Sequence, residues 1–300
     1  MKNGRKGQLG LPERKTRDSP RPAPACKVRE EVIVPHSLLA PALVLLLQAA
    51  PPLPEQFRSD PPTHVLRIVR VSDGAPVRLE SFPGAGETAF PPGEAGRLLT
   101  ALTGIETGAL DADLRIPCDS TCWGDGSHGS PTLAEAIAVG CDAWFHRESA
   151  EPSPDEVAER AVALGFSRAD REAGGWAATA REWTEFWRSV RSGRNDLAPA
   201  ATAAVLTAGA LSVSSPRGVA RPLHDPRRRV QAVAGAADAG AWVTGLVRRG
   251  HLEWAFALWV PDGTVPLAVT RAASLLDETI RRREEAAAER GSPLAPLGER

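Results

Sequence analysis

The stretch Pro91-Pro92-Gly93-Glu94-Ala95-Gly96-Arg97-Leu98-Leu99-Thr100-Ala101-Leu102 decides how this 300-residue chain folds. Pro92 suits the first turn of a helix, because its φ is already helical and its missing N–H is not needed there. The apolar residues that follow recur at helical spacing: Leu98, Leu99, Leu102 and Ile105. We therefore predict a helix that opens at Pro92 and ends near Gly108, with Glu94 and Arg97 as neighbours in its first turn.

The charge and composition of the chain limit its partners. The sequence has 36 Lys and Arg against 37 Asp and Glu, and 42% of its residues are hydrophobic. A balanced charge gives no field that would attract nucleic acid, and no zinc-finger spacing or RNA-binding signature is present. We therefore predict no nucleic-acid partner, and enough apolar residues for one large domain or two small ones.

The N-terminal region has the pattern of an export signal. Residues 1–31 form a polar leader with nine Lys or Arg against four Asp or Glu, and the apolar run 32–53 follows. A basic stretch before a short apolar run is typical of a signal peptide. The alternatives are a membrane anchor, although the apolar core is shorter than the ~20 residues of a spanning helix, and a buried core helix. We expect an exported, periplasmic or cell-envelope protein, with a linker at 54–63 and a tail at 291–300.

Periodic patterns predict the elements between residues 64 and 290. Alternating apolar residues at 64–71 and 76–82 flank a Ser-Asp-Gly turn, which favours a β-hairpin. Thr132-Leu133-Ala134-Glu135 is a capping-box signature, and the apolar stripe of the helix that it starts reaches Trp144. Further predicted elements are helices at 154–164, 179–190, 198–211 and 266–289, and strands at 230–236, 241–248 and 252–260. This order predicts an α+β fold, with an antiparallel sheet whose first and last segments pair, flanked by helices plus a helical lobe.

Several short motifs occur in an order that carries a resemblance. The motifs are Pro91–Leu102, His128-Gly129, Thr132–Ile137, Gly140–Phe145, Gly218-Val219-Ala220, Val233–Ala236 and Ala241–Gly245. Over residues 64–285 this order resembles the transpeptidase domain of penicillin-binding proteins, whose fold is shared with class D β-lactamases. The resemblance implies the same fold, and it identifies three motifs that hold the groups for acyl transfer in that family.

The resemblance also implies that these catalytic groups are missing. In the family a Ser attacks the acyl donor and a Lys one turn later takes its proton, and Glu94 and Arg97 stand at these positions. Arg stays protonated and cannot act as the base. The Ser-x-Asn motif matches Gly140-Cys141-Asp142, and the Lys-Thr-Gly motif matches Val233-Ala234-Gly235. No catalytic residue is expected among the motif positions Glu94, Arg97, Gly140, Asp142, Val233, Ala234 and Gly235.

The function expected from these losses is binding. We predict a catalytically inactive transpeptidase-like domain that binds a peptidoglycan peptide or an envelope protein, with Arg97, Asp142 and His128 as candidate binding residues. Glu94 is expected to form an ion pair with Arg97, or Arg97 pairs with a ligand carboxylate. A divergent active transpeptidase or β-lactam-binding enzyme is one alternative, and an unrelated α+β cytoplasmic binding protein is another.

Three cysteines and a histidine lie around the second motif. Cys118 and Cys122 belong to a loop rich in Gly, Ser and Asp, where we expect a local disulfide in an oxidising compartment. Unbridged thiols are an alternative, and so is a metal site of Cys118, Cys122, His128 and Cys141. The spacing of these four matches no common zinc signature, so we predict no metal and no cofactor.

Overall fold

The computed structural model describes residues 63–289, except 83–84, 86, 119–121, 123–126, 146–151, 170–174 and 194–195. The predicted leader, the apolar run 32–53, most of the linker and the tail lie outside this part of the chain. Within residues 63–289, no described helix is long and apolar enough to cross a membrane.

The centre of the molecule is a five-stranded antiparallel sheet. Its order is β2-β1-β7-β6-β5, so that strands from the two ends of the domain pair as the sequence predicts. A separate two-stranded ribbon joins β3 to β4. The strands are β1 Val65–Arg70, β2 Pro76–Glu80, β3 Ser167–Arg168, β4 Trp176–Ala177, β5 Arg229–Ala237, β6 Gly240–Arg249 and β7 Leu252–Pro261.

The helices cover both faces of this sheet and confirm the predicted α+β class. Three of them, α2, α4 and α5, begin with a capping box, in which a Ser or Thr and a Glu satisfy each other's backbone N–H. The helices are α1 Arg97–Thr107, α2 Leu133–Val139, α3 Asp142–Phe145, α4 Pro154–Ala163, α5 Ala180–Ser192, α6 Pro199–Ser214 and α7 Val265–Glu289.

The sheet separates two apolar cores. Side chains of a strand alternate between faces, and on β6 Trp242 and Leu246 point to the core formed with α1, α5 and α6. Val243 and Val247 point to the opposite core, which α7 covers. The aromatic side chains of α5 are fully enclosed in the first core, and Trp183 is 0% exposed. Strand β6 is therefore buried on both sides, and the site described below lies where its neighbour β5 meets the helical lobe.

Two predicted helices start or end differently in the structure. The helix expected to open at Pro92 begins with a 3-10 turn at Gly93–Gly96 and becomes α-helical only at Arg97. The helix expected to reach Trp144 is interrupted because Gly140 takes a left-handed φ of 67°. A residue in that conformation ends an α-helix, so Cys141 lies between two helices and Asp142 begins a new one.

Candidate functional site

The first part of the site is a close contact between the 3-10 turn and strand β5. A Cβ on Gly235 would lie 2.2 Å from the backbone nitrogen of Ala95. A Cβ on Gly93, whose φ is +53°, would lie 2.0 Å from the carbonyl oxygen of Ala236. Only glycine fits at such distances, so these two residues let the strand and the turn meet backbone to backbone.

Glu94 connects the two elements through its carboxylate. The backbone N–H of Ala236 donates to Oε2 of Glu94 at 3.1 Å, and Oε1 lies 3.6 Å from Nη2 of Arg97. The side chain of Glu94 is 38% exposed. The predicted ion pair between Glu94 and Arg97 is therefore present, although Arg97 has a closer partner.

That closer partner is Asp142 at the start of α3. Nη2 of Arg97 donates to Oδ1 of Asp142, and the guanidinium carbon lies 5.2 Å from the ring centroid of Phe145. The side chains of Arg97 and Asp142 are 15% and 23% exposed. Both the carboxylate and the aromatic ring favour the cation, so α3 fixes Arg97 between the first and second motifs.

The three motifs meet around one cavity, which we call the motif cleft. Its volume is about 290 Å³. The described residues that line it are Glu94, Val139, Gly140, Val219, Ala234, Ala236, Val265 and Pro266. A second cavity of about 390 Å³ borders the 3-10 turn, and both Glu94 and Arg97 line it. Glu94 is thus shared between the two cavities.

Besides Arg97 and Asp142, three predicted site residues do not line the motif cleft. Val233 is 2% exposed and packs in the first core, because neighbouring residues of a strand face opposite sides and Ala234 takes the cleft side. Gly235 is buried against the 3-10 turn. His128 lies beside the cysteines, where burial and then the charge of Arg217 lower the pKa of its imidazole.

The cysteines form a compact cluster with His128. Sγ of Cys122 lies 3.3 Å from Sγ of Cys118 and 3.5 Å from Sγ of Cys141, and Nδ1 of His128 lies 3.6 Å from Sγ of Cys118. A disulfide requires about 2.05 Å between sulphur atoms, so the predicted bond between Cys118 and Cys122 is not present in this structure. Burial, and next the hydrogen bond with Cys122, raises the pKa of the Cys141 thiol to about 12.

Some contacts of the site have no signal in the sequence. Phe145 packs on Arg97, and the indole N–H of Trp242 donates to the carbonyl of Pro91 at 3.0 Å, which fixes the chain just before the 3-10 turn. Glu94 accepts a hydrogen bond from the backbone N–H of Ala236, and the residue type at a position does not indicate such a contact. These interactions depend on tertiary placement, and only the three-residue spacing of Asp142 and Phe145 hinted that both could face one partner.

The chemistry available in the motif cleft is limited. Among the described residues that line it, none carries a hydroxyl, thiol, amine or imidazole, and Glu94 is the one ionisable group. The arrangement can bind a small apolar group and accept hydrogen bonds from a donor. It offers no nucleophile paired with a base, which covalent acyl transfer requires.

The fold matches solved structures of two related enzyme classes. The BPu1 β-lactamase is 13% identical, with a TM-score of 0.56, over 77% of this chain and 98% of that one. A β-lactamase from Chitinophaga pinensis is 15% identical, with a TM-score of 0.51, over 71% and 92%. Penicillin-binding protein 2 of Helicobacter pylori, in its complex with MreC, is 13% identical, with a TM-score of 0.57, over 71% and 60%.

Comparison by sequence alone reveals no similar proteins, whereas comparison by structure does. No protein-family model matches the sequence, and no curated protein matches it. At 10–15% identity the similar structures establish the fold alone. The chain has the fold shared by the serine β-lactamases and the transpeptidase domain of penicillin-binding proteins.

Proposed function

We propose that this chain is a catalytically inactive transpeptidase-like protein of the cell envelope that binds a peptidoglycan peptide in the motif cleft. One observation carries the proposal: the three motif regions still meet around a cleft, but Arg97 is held in an ion pair with Asp142 and Glu94. Exposure to the envelope rests on the export-type pattern of residues 1–53 in the sequence.

The absence of catalysis follows from the groups at the motif positions. A serine acyltransferase needs a nucleophile, a base that takes its proton and donors for the developing oxyanion. Glu94 already accepts the N–H of Ala236, and Arg97 stays protonated beside two carboxylates. Ala234 brings only a methyl group to the cleft, and Val233 points into the core. These residues leave no position from which an acyl-enzyme could form.

The lining of the cleft indicates the kind of group that it binds. Its walls are mainly apolar, and the partly exposed carboxylate of Glu94 lies at one side. A ligand that places a small apolar side chain in the cleft and an ammonium group near Glu94 satisfies both features. A peptide with a free amine is such a ligand, whereas a terminal carboxylate near Glu94 would be repelled.

A protein partner is the second candidate ligand. One of the similar structures is a complex between penicillin-binding protein 2 and MreC from Helicobacter pylori. That complex makes an envelope protein an alternative to a peptide bound in the cleft. This alternative would be supported by an envelope protein that still binds when a peptide fills the motif cleft and when Glu94 is substituted.

Exposure to excess penicillin should leave the mass of the intact protein unchanged. We expect the same for Glu94→Ser, because the new hydroxyl would face Arg97, which cannot accept its proton. Intact-mass spectrometry measures this directly, with an active penicillin-binding transpeptidase as the positive control. A mass increase of one drug molecule on the unmodified chain would overturn the proposal of an inactive protein.

Binding of an amine-bearing peptidoglycan stem peptide should depend on Glu94. We expect Glu94→Gln to weaken binding about tenfold, which corresponds to about 1.4 kcal/mol, the scale of one partly exposed charge-assisted hydrogen bond. Acetylation of the peptide amine should weaken binding to the unchanged protein by a similar factor. Titration calorimetry measures both, with Glu285→Gln on the exposed part of α7 as the matched control. Equal affinities for the amine and its acetylated form would exclude the assignment of Glu94.

A further inference from the structure

The cysteine cluster places four metal-binding atoms at one point. The sulphur atoms of Cys118, Cys122 and Cys141 and a ring nitrogen of His128 all lie within 4.8 Å of one another. The three cysteines are buried and His128 is half-buried. Tetrahedral Zn²⁺ binds sulphur at about 2.3 Å and nitrogen at about 2.0 Å, which places neighbouring ligand atoms roughly 3.5–3.8 Å apart. The separations of 3.3, 3.5 and 3.6 Å in the cluster are close to these ligand-to-ligand distances.

We propose that Cys118, Cys122, His128 and Cys141 form a structural Zn²⁺ site. Three thiolates and an imidazole are a donor set that selects zinc, and four protein ligands leave no open position for catalysis. A disulfide would use only two of the three cysteines and would leave the third sulphur beside the bond. Although the sequence spacing resembles no common zinc motif, the separation of three residues between Cys118 and Cys122 lies within the range that zinc sites use.

The surroundings of the cluster suit the charge of such a site. Zn²⁺ displaces three thiol protons, so that the ion, three thiolates and a neutral imidazole carry a net charge of −1. Arg217 lies next to His128 and donates to the carbonyl of Ser127 at 3.1 Å, which places a positive charge beside the site. The backbone N–H of Ala143 points at the sulphur of Cys122 from 3.4 Å. Hydrogen bonds of this kind stabilise metal-bound thiolates.

The site would join two parts of the chain that define the motif cleft. Cys118 and Cys122 belong to the loop after α1, and this loop is already held by the N–H of Cys118, which donates to the carbonyl of Gly129 at 2.7 Å. Cys141 lies between Gly140, which lines the cleft, and Asp142, which binds Arg97. Zinc bound to Cys141 would hold the backbone between Gly140 and Asp142 in place, whether or not the motif cleft binds a peptide.

Metal analysis of the full chain tests the proposal. The protein is purified with a phosphine reductant, incubated with Zn²⁺, freed of excess metal and analysed by mass spectrometry for zinc. We expect one zinc per chain. With Co²⁺ in place of Zn²⁺ we expect the visible bands of a tetrahedral site and near-ultraviolet thiolate-to-cobalt bands for three thiolates. Less than a tenth of an equivalent of metal in the reduced, folded protein would overturn the proposal, as would a stable disulfide in its place.

Substitutions identify the ligands. We expect His128→Ala to weaken metal affinity by at least about tenfold, while His251→Ala, an exposed histidine elsewhere, leaves it unchanged. His128→Cys should keep one metal and raise the thiolate-to-cobalt absorbance by about a third, because four thiolates replace three. This variant remains informative if His128→Ala does not fold, since it retains a full ligand set. Unchanged cobalt spectra in both His128 variants would exclude the site.

Discussion

Gly93→Ala should destabilise the protein by about 2–5 kcal/mol. The backbone of Gly93 has a φ of +53°, where an L-residue costs roughly 1–2 kcal/mol. Its new Cβ would also lie 2.0 Å from the carbonyl oxygen of Ala236, and relief of that overlap must separate β5 from the 3-10 turn at a cost of roughly 1–3 kcal/mol. The two effects act on one residue, so we expect their sum in urea denaturation followed by circular dichroism.

Gly108→Ala is the matched control for this substitution. Gly108 ends α1 with a φ of +75°, and a Cβ built on it meets no atom within 4 Å. We expect a loss of only about 1–2 kcal/mol, from the backbone conformation alone. If both substitutions cost the same, the close contact between β5 and the 3-10 turn does not exist in solution, and the motif cleft is wider than described.

Much of the fold could be predicted because its signals are local. The alternating strands and the capping boxes each depend on a few neighbouring residues, and their order was enough to expect pairing between the first and last strands. Two glycines lie where the observed helix boundaries differ from the predicted ones. Their positions are visible in the sequence, but their backbone conformations are not. Gly93 and Gly140 take left-handed φ values because of the elements around them, and a single sequence does not report those elements.

The candidate site was predictable only as a set of positions. The structure brings Glu94, Gly140 and Ala234, one residue from each motif, to one cavity. Val233 belongs to the third motif as well, but strand alternation turns its side chain into the core. The partners predicted for Arg97 included Glu94 but not Asp142. Asp142 is 45 residues away along the chain and becomes a neighbour of Arg97 only through the packing of α3. Long-range partners of this kind require the fold before they can be named.

The cysteines illustrate the same limit for a metal site. Sequence spacing favoured a bridge between Cys118 and Cys122, because they are close along the chain. A metal site of these two cysteines with His128 and Cys141 was the open alternative, and the structure places the ligand atoms of all four within 4.8 Å of one another. Proximity along the chain favoured the bridge, whereas proximity in the fold favours the alternative.

Arg97→Ala and Asp142→Ala should each destabilise the protein by about 2–3 kcal/mol. Each change leaves the opposite charge without its main partner in a site that is mostly buried. We place the loss below the 3–5 kcal/mol of a fully buried pair because both side chains retain some contact with water. The double variant should lose less than the sum of the two, with a coupling of about 1–2 kcal/mol, in urea denaturation of the four proteins of the cycle.

The same measurement separates the two carboxylates around Arg97. Glu94 is farther from Arg97 and more exposed than Asp142, so we expect its coupling to Arg97 to be about 0.5 kcal/mol. The exposed pair Arg281 and Glu285 on α7 is the control, and each of its single changes should remain within about 0.5 kcal/mol. Additive losses for Arg97 and Asp142 would show that the two side chains do not interact in solution. Arg97 would then be available for a ligand carboxylate in the second cavity, which it borders.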